Sequence, residues 1–203
     1  GYAIPFAHTG VRASYGFGDM VSAMVMVANG WDNAVENNSN KTVGAQLAVT
    51  PIEPLFFAVN GIYGAENDAD NSNNTSVIDL VATWSPVDLI SIGFNADFGS
   101  SAAGAAEGED AAWTGFAGYL RFNLVNTFSV SLRGEQFDDA DGVRTGTAQK
   151  LTEFTISPEY RPAENFILRG DFRLDSSDKE VFEDGAEMSD SQSTIGLNMI
   201  YFF

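Results

Sequence analysis

The sequence has no cysteine and a single histidine, and only 10 of its 203 residues are lysine or arginine against 28 aspartates and glutamates. Each scarcity excludes something. Without cysteine there is neither a disulfide framework nor a thiolate metal site. A formal net charge of −18 leaves no basic face to neutralise phosphates, so nucleic acid is not a partner. No apolar run approaches the roughly 18 residues that a spanning helix needs, and no helical periodicity is evident. No cofactor is expected. Yet 44% of the residues are hydrophobic, which is not the composition of a disordered chain. No secretory leader is visible and residue 1 is glycine, so the chain reads as a mature protein or a fragment.

What the sequence does have is alternation. Val11, Ala13, Tyr15 and Phe17 alternate with Arg12, Ser14 and Gly16, then Gly18 and Asp19 make a corner. The stretch 21–27 is apolar on both parities, so its faces cannot be assigned. Val43, Ala45, Leu47 and Val49 form the next row, ended by Pro51 and Pro54, which donate nothing to a ladder. A return strand is expected over 55–64. Ile78, Leu80, Ala82 and Trp84 oppose Asp79 and Thr83, a corner falls at Ser85 and Pro86, and Ile90, Ile92, Phe94, Ala96 and Phe98 come back with Asn95 and Asp97 on the other parity. After a small-residue acidic loop over 99–111, Phe116, Leu120 and Phe122 oppose Tyr119 and Arg121. Following a turn at Asn126, Phe128, Val130 and Leu132 oppose Ser129, Ser131, Arg133 and Glu135. Phe154, Ile156 and Tyr160 oppose Glu153, Thr155 and Glu159. Pro162 is expected to turn the chain into Phe166, Leu168, Phe172 and Leu174, which oppose Arg169, Asp171, Arg173 and Asp175. In the last segment, 193–203, Ile195, Leu197, Met199, Tyr201 and Phe203 oppose Thr194, Gly196 and Asn198.

Two asymmetries give this pattern a meaning. Short corners alternate strictly with long acidic loops, so in an antiparallel meander every long loop lies at one end, as in outer-membrane barrels. The strand charges keep to one parity, opposite the aromatic and aliphatic one. A soluble up-and-down barrel would put the apolar parity inside. Parity alone does not choose between the two, but strands of about 9–11 residues match a tilted bilayer crossing. Aromatics near strand ends (Trp31, Trp84, Trp113, Phe122, Tyr160 and Phe166) match interfacial girdles. The expected fold is therefore all-β, a transmembrane antiparallel up-and-down β-barrel with about 11–12 strands in this chain, 1–203 forming one barrel domain. Single-chain bacterial barrels are usually even-numbered and eleven segments are counted. Either at least one strand precedes Gly1, or residues 2–7 add a short closing strand.

Several blocks together carry a family resemblance. They are Asn29-Gly30-Trp31-Asp32 with its Asn-rich loop, residues 41–47, residues 59–64, Leu132-Arg133-Gly134-Glu135, Phe137-Asp138-Asp139 with Asp141-Gly142 and residues 144–147, and Leu168-Arg169 with Ser177-Asp178-Lys179. The chain resembles the OmpL-like β-barrel porins, and looks like the C-terminal part of a longer one. The aromatic carboxyl end resembles the closing strand of bacterial outer-membrane proteins, whose terminal Phe the assembly machinery reads, so Tyr201 and Phe203 are the expected assembly signal. The resemblance implies a barrel in the bacterial outer membrane, no enzyme, and passive diffusion of small hydrophilic solutes. A non-conducting scaffold or docking barrel is the alternative. The implied partners are outer-membrane lipid and lipopolysaccharide, the assembly machinery and the solutes. A homo-oligomer stays open.

Candidate pore-lining residues follow from parity: Arg12, Asp79, Asp97, Arg121, Arg133, Glu135, Glu153, Arg169, Asp171 and Arg173. Charges spaced by two along 169–175 are expected to pair with one another. The stretch 138–142 has part of a calcium-loop pattern but lacks the bidentate Glu, so no metal is expected. His8 shares the parity of Arg12, but no nucleophile block accompanies it.

Overall fold

The computed structural model describes residues 2–105 and 108–203. Ala106 and Glu107, within the loop expected over 99–111, lie outside the described residues. The chain forms β1 (Gly10–Gly16), β2 (Val21–Ala28), β3 (Thr42–Ile52), β4 (Leu55–Ala65), β5 (Asn74–Val87), β6 (Ile90–Ser101), β7 (Ala111–Val125), β8 (Phe128–Asp139), β9 (Gln149–Ala163), β10 (Phe166–Ser177), β11 (Phe182–Asp184), β12 (Glu187–Ser189) and β13 (Ser191–Tyr201). Eleven of these make one antiparallel sheet in chain order from β1 to β10 and then β13. No helix among the described residues is long and apolar enough to cross a membrane. The fold is a transmembrane up-and-down β-barrel wall, whose β1 and β13 edges are unpaired among the described residues.

Period-2 alternation sets the two faces. Val11, Leu47, Phe94, Phe154 and Phe172 are exposed on the outer face, and on β13 Leu197 reaches 87% exposure. An aqueous surface would not carry so continuous an apolar sheet face, and lipid removes the penalty. The arginines and carboxylates hold the concave face. β2 is greasy on both parities for a physical reason: Val25 and Val27 face outward, while Met24 and Met26 line an inner cavity that Ile4 and Pro5 cover. A strand covered on both sides has no need to alternate.

Turns depart from expectation at two prolines. The corner placed at Pro86 lies at Asp88 and Leu89, because the β5–β6 register slips between Trp84 and Val87 and the irregularity absorbs the proline. The corner placed at Pro162 likewise lies at Glu164 and Asn165. The long 178–190 connection contains the β11–β12 hairpin, in which Asp184 pairs with Glu187 across the two-residue turn Gly185-Ala186, with Gly185 at φ 67°. A glycine at the first of two turn positions is a hairpin signal that the reading of this stretch as an acidic loop passes over. β13 ends at Tyr201, so Phe203 lies beyond the strand. Residues 2–9 add no closing strand. They run along the concave face instead.

Curvature is visible in one contact. The Arg144 guanidinium, after β8, lies 4.5 Å from the centroid of the Trp31 ring, which follows β2. From β3 to β8 a flat sheet would separate them by roughly 24 Å, five strand spacings. The concave face therefore bends round on itself. In the bend sits a small apolar cluster of Ala3, Val77, Trp113 and Phe137, with Trp31, Ile62, Val143 and Leu151 against it. Trp113 is 2% exposed and its Nε1–H donates to the Ala3 carbonyl at 2.9 Å. Trp31 and Trp113 are thus not girdle residues. Trp113 shares the inward parity of Arg121, and Trp31 is drawn in where its backbone N–H donates to Glu66 Oε2 at 2.5 Å.

Gly99 faces Trp113 across the β6–β7 pair, and a Cβ there would overlap the indole. An indole is rigid and cannot yield as a flexible chain end does. Gly99→Ala is expected to destabilise by about 1–3 kcal/mol, as core overpacking does. Urea unfolding of the micelle-folded protein checks this. Trp113→Leu should restore part of the loss in the double variant, and an unchanged midpoint for Gly99→Ala would refute the close approach.

Candidate functional site: the concave face

Each charged side chain on the concave face is aimed there by strand parity, and its partner comes either from the strand opposite or from two residues along its own strand. Glu159 on β9 lies opposite Arg169 on β10 and Ser129 on β8. It is 3% exposed and holds three arginines: Arg169 Nη2 at 2.7 Å, Arg121 Nη2 at 2.9 Å and Arg161 Nε at 3.5 Å. Arg121 also donates to Asn123 Oδ1 at 3.1 Å. Three guanidiniums about one carboxylate make a locally positive cluster near the short-turn end.

Higher on the same wall Arg133 pairs with Glu135, and its Nη1 stands 3.0 Å from Glu153 Oε2 as a charge contact without hydrogen-bond alignment. Glu153 also accepts from Thr155 Oγ1. Arg173 and Asp175 pair at 2.6 Å. The expected ladder along β10 therefore forms in part only. Arg169 goes to Glu159, and Asp171 accepts from Ser157 Oγ at 2.5 Å and Asn198 Nδ2 at 2.9 Å, with no arginine. Where a carboxylate stands directly opposite, about 5 Å away, the arginine takes it, as Arg169 does; where Thr155 stands opposite, as for Arg133 and Arg173, the arginine turns to the carboxylate two along its own strand.

The opposite wall is built from amides. Gln46 Nε2 donates to Asn60 Oδ1 at 2.6 Å, Asn60 Nδ2 donates to Asp79 Oδ2 at 2.6 Å, and Asn95 Nδ2 donates to Asp79 Oδ1. Asp97 lies directly across the strand pair from Asp79 and is 6% exposed, and its Oδ1 has no partner. Two carboxylates face to face with one of them unsatisfied is an unfavourable arrangement. Asp97→Asn keeps the shape, removes the repulsion and adds a donor toward Asp79. The variant is expected to gain about 1 kcal/mol, read as a raised urea midpoint. A lowered midpoint would show that the carboxylate has a favourable partner.

The long-loop end is partly covered. Asp32 Oδ1 accepts the Phe6 and Ala7 N–H groups at 2.6 and 2.7 Å, pinning residues 2–9 inside. Arg144 stacks on Trp31 and Trp113 and donates its Nε–H to the Tyr2 carbonyl at 2.7 Å. Burial pushes the Arg144 guanidinium below its ordinary pKa, while Asp32 and Asp139 act the other way. In the partial calcium pattern Asp139 Oδ2 accepts from the Arg144 and Thr145 N–H groups, at 3.0 and 2.7 Å, and from Thr145 Oγ1 at 2.8 Å. It fastens the turn. Among the described residues no group of three or more His, Asp or Glu could hold a metal. In the 66–73 loop the Ser72 N–H holds the Asp70 carboxyl below the usual range, aided by Asn73.

Arg12 is exposed on β1 without an ion-pair partner among the described residues, and His8 lies near it at the wall of a cavity. Sequence reasoning missed Arg161, the Gln46–Asn60 chain and the Arg144 stack. Parity offered the first two, since they share it with Glu159 and Asp79. Nothing local announces the third.

Comparison with known proteins supplies the frame. No curated protein matches the chain. Among solved structures it resembles the anion-selective porin from Comamonas acidovorans with TM-score 0.71 and 13% identity, over 95% of this chain and 59% of that one. It resembles the outer membrane channel DcaP of Acinetobacter baumannii with TM-score 0.68 and 12% identity, over 96% of this chain and 62% of that one. The NanC porin follows with TM-score 0.55 and 11% identity, over 95% of this chain and 91% of that one. At such identities the fold is what is shared, and this chain spans about six-tenths of the length of the first two. The family described as "Putative beta-barrel porin-2, OmpL-like" matches all of residues 1–203. The chain accordingly belongs to the OmpL-like β-barrel porins, a family of bacterial outer-membrane channels and not of enzymes.

Proposed function

We propose that the barrel to which this chain contributes passes small hydrophilic solutes across the outer membrane by passive diffusion. The observation that carries this reading is the concave face itself. It presents arginine, carboxylate and amide groups in rows instead of a close-packed apolar core, and such a face is stable only against water or polar solute. Arg12, Asp79, Asp97, Arg121, Arg133, Glu135, Glu153, Arg169, Asp171 and Arg173 would line the path. The unpaired edges of β1 and β13 require neighbouring strands, which further strands of the same polypeptide would supply, and a wider wall leaves a wider lumen. The outward apolar face would meet lipid and lipopolysaccharide, and Tyr201 and Phe203 would present the signal to the assembly machinery.

A second reading has its own support. The ion pairs around Glu159 and Glu153, and the cover formed by residues 2–9 with Arg144, favour a closed scaffold. Planar-bilayer conductance of the purified full-length protein separates the two. Discrete open channels at neutral pH are expected. A silent bilayer that begins to conduct when Arg133 and Glu153 are both replaced by alanine would establish the closed barrel instead.

A further inference from the structure

One inner row of the sheet runs Arg12, Met26, Gly44, Ile62, Val77 across β1 to β5, each residue paired to the next. The row beside it runs Ser14, Met24, Gln46, Asn60, Asp79. Between these rows and residues 2–9 lies a cavity of about 230 Å³. Gly44 has no side chain, and the Met26 methyl folds over it, 3.0 Å from where a Cβ would stand. Met24, Met26, Ile62 and Val77 make the floor apolar, and Ile4 covers it. Charge appears only at the two ends, with Arg12 on β1 and Asp79 on β5.

This is an unusual lining for a polar lumen, and it has the form of a binding site: apolar walls with a few placed polar groups. Arg12 has five N–H donors and no ion-pair partner among the described residues, so it is free to take a carboxylate in a bidentate fashion. The Asp79 carboxylate is held still by Asn60 and Asn95, which occupy one lone pair on each oxygen, so acceptor capacity remains. Four strand steps separate Arg12 from Asp79, roughly 19 Å between backbones, and the two side chains take up much of that. A short α-amino acid cannot reach both ends, whereas a linear molecule with an apolar middle can. The cavity is also smaller than the roughly 300 Å³ at which drug-sized pockets begin.

We propose that this cavity is a binding site for small linear ω-amino acids, with the carboxylate on Arg12, the ammonium on Asp79 and the methylene chain over Met26, Gly44 and Ile62. The proposal rests on the reading of the concave face as a solute-accessible lumen, and names a class of solute for it. A site of this kind concentrates its ligand in the path and slows general flux while the ligand is bound.

The test uses the full-length protein folded in detergent micelles, with its five methionines labelled at the methyl carbon. On titration with 6-aminohexanoate the Met24 and Met26 methyl signals should move in a saturable way, while Met20, Met188 and Met199 stay still. Hexanoate and hexylamine, each lacking one charge, should bind at least tenfold more weakly, and glycine should produce no saturable shift. Arg12→Gln should reduce 6-aminohexanoate binding about tenfold and leave hexylamine unchanged. Asp79→Asn should do the converse, leaving hexanoate unchanged. Both variants must keep the heat-modifiable gel migration of a folded barrel. If hexanoate binds as tightly as 6-aminohexanoate, or if the shifts spread over all five methionines, the site is not what is proposed. Bilayer conductance measured in parallel separates the two failures. Conductance without saturable binding overturns the site alone, and binding in a barrel that never conducts overturns passive diffusion alone.

Discussion

Replacing Glu159 by alanine is expected to destabilise the folded barrel by about 3 kcal/mol and to move the reversal potential of the proposed channel toward anions. The two effects have one origin. Arg121, Arg161 and Arg169 all come within 3.5 Å of this single carboxylate, which is almost wholly buried while each arginine side chain is more than one-third exposed. Removing the anion leaves three guanidiniums crowded together with nothing between them. Water reaches their outer sides, so the penalty falls at the lower end of that for breaking a fully buried pair. Arg169→Ala should be milder, near 1 kcal/mol, because Glu159 keeps Arg121 and Arg161. Glu159→Gln should fall between the two, since it retains an acceptor and loses the charge. Urea midpoints in micelles rank the three variants, and reversal potentials in a salt gradient read the selectivity. If Arg169→Ala proved the costlier of the two alanine variants, the carboxylate would not be the organising centre of this end.

How far the sequence anticipated this site depends on the range of the interaction. Which face a residue occupies is set by its own parity, and the register puts the ten candidate residues, from Arg12 to Arg173, on one face of the sheet. Which partner it takes depends also on what register places opposite, and register depends on where the turns fall: Arg173 keeps Asp175 two along, but Arg169 does not keep Asp171. The turns expected at Pro86 and Pro162 lie two to three residues further on, because irregular pairing and strand continuation absorb the prolines. From spacing alone Arg169 would pair with Asp171. From register it meets Glu159. The tryptophans show a different limit. An aromatic near a strand end serves an interface girdle or an inner cluster equally well, and Trp84 remains half-exposed outside while Trp113 is enclosed inside. Its parity with Arg121 was the available clue. The path of residues 2–9 had no clue at all, since it depends on Asp32 and Trp113, neither of which lies near it in the chain.

That enclosed tryptophan carries the second large effect. Trp113→Ala is expected to destabilise by about 3–5 kcal/mol, the range for deleting a large aromatic from a packed site. Three losses combine. The indole leaves the cluster with Val77 and Phe137, its N–H no longer satisfies the Ala3 carbonyl, and Arg144 loses one of the two rings it stacks on. Trp113→Phe keeps most of the volume and part of the stacking while deleting the hydrogen bond, so it should lose about 1–2 kcal/mol. The functional consequence runs opposite to that of an ordinary core defect. Residues 2–9 and the 140–148 loop are held across the concave face through Trp113 and Arg144, so freeing them widens the long-loop end. Single-channel conductance of Trp113→Ala should therefore rise even as the urea midpoint falls, and Arg144→Ala should raise it with a smaller loss of stability. A Trp113→Ala barrel that is destabilised yet conducts like the parent would show that the cover lies beside the path and not across it.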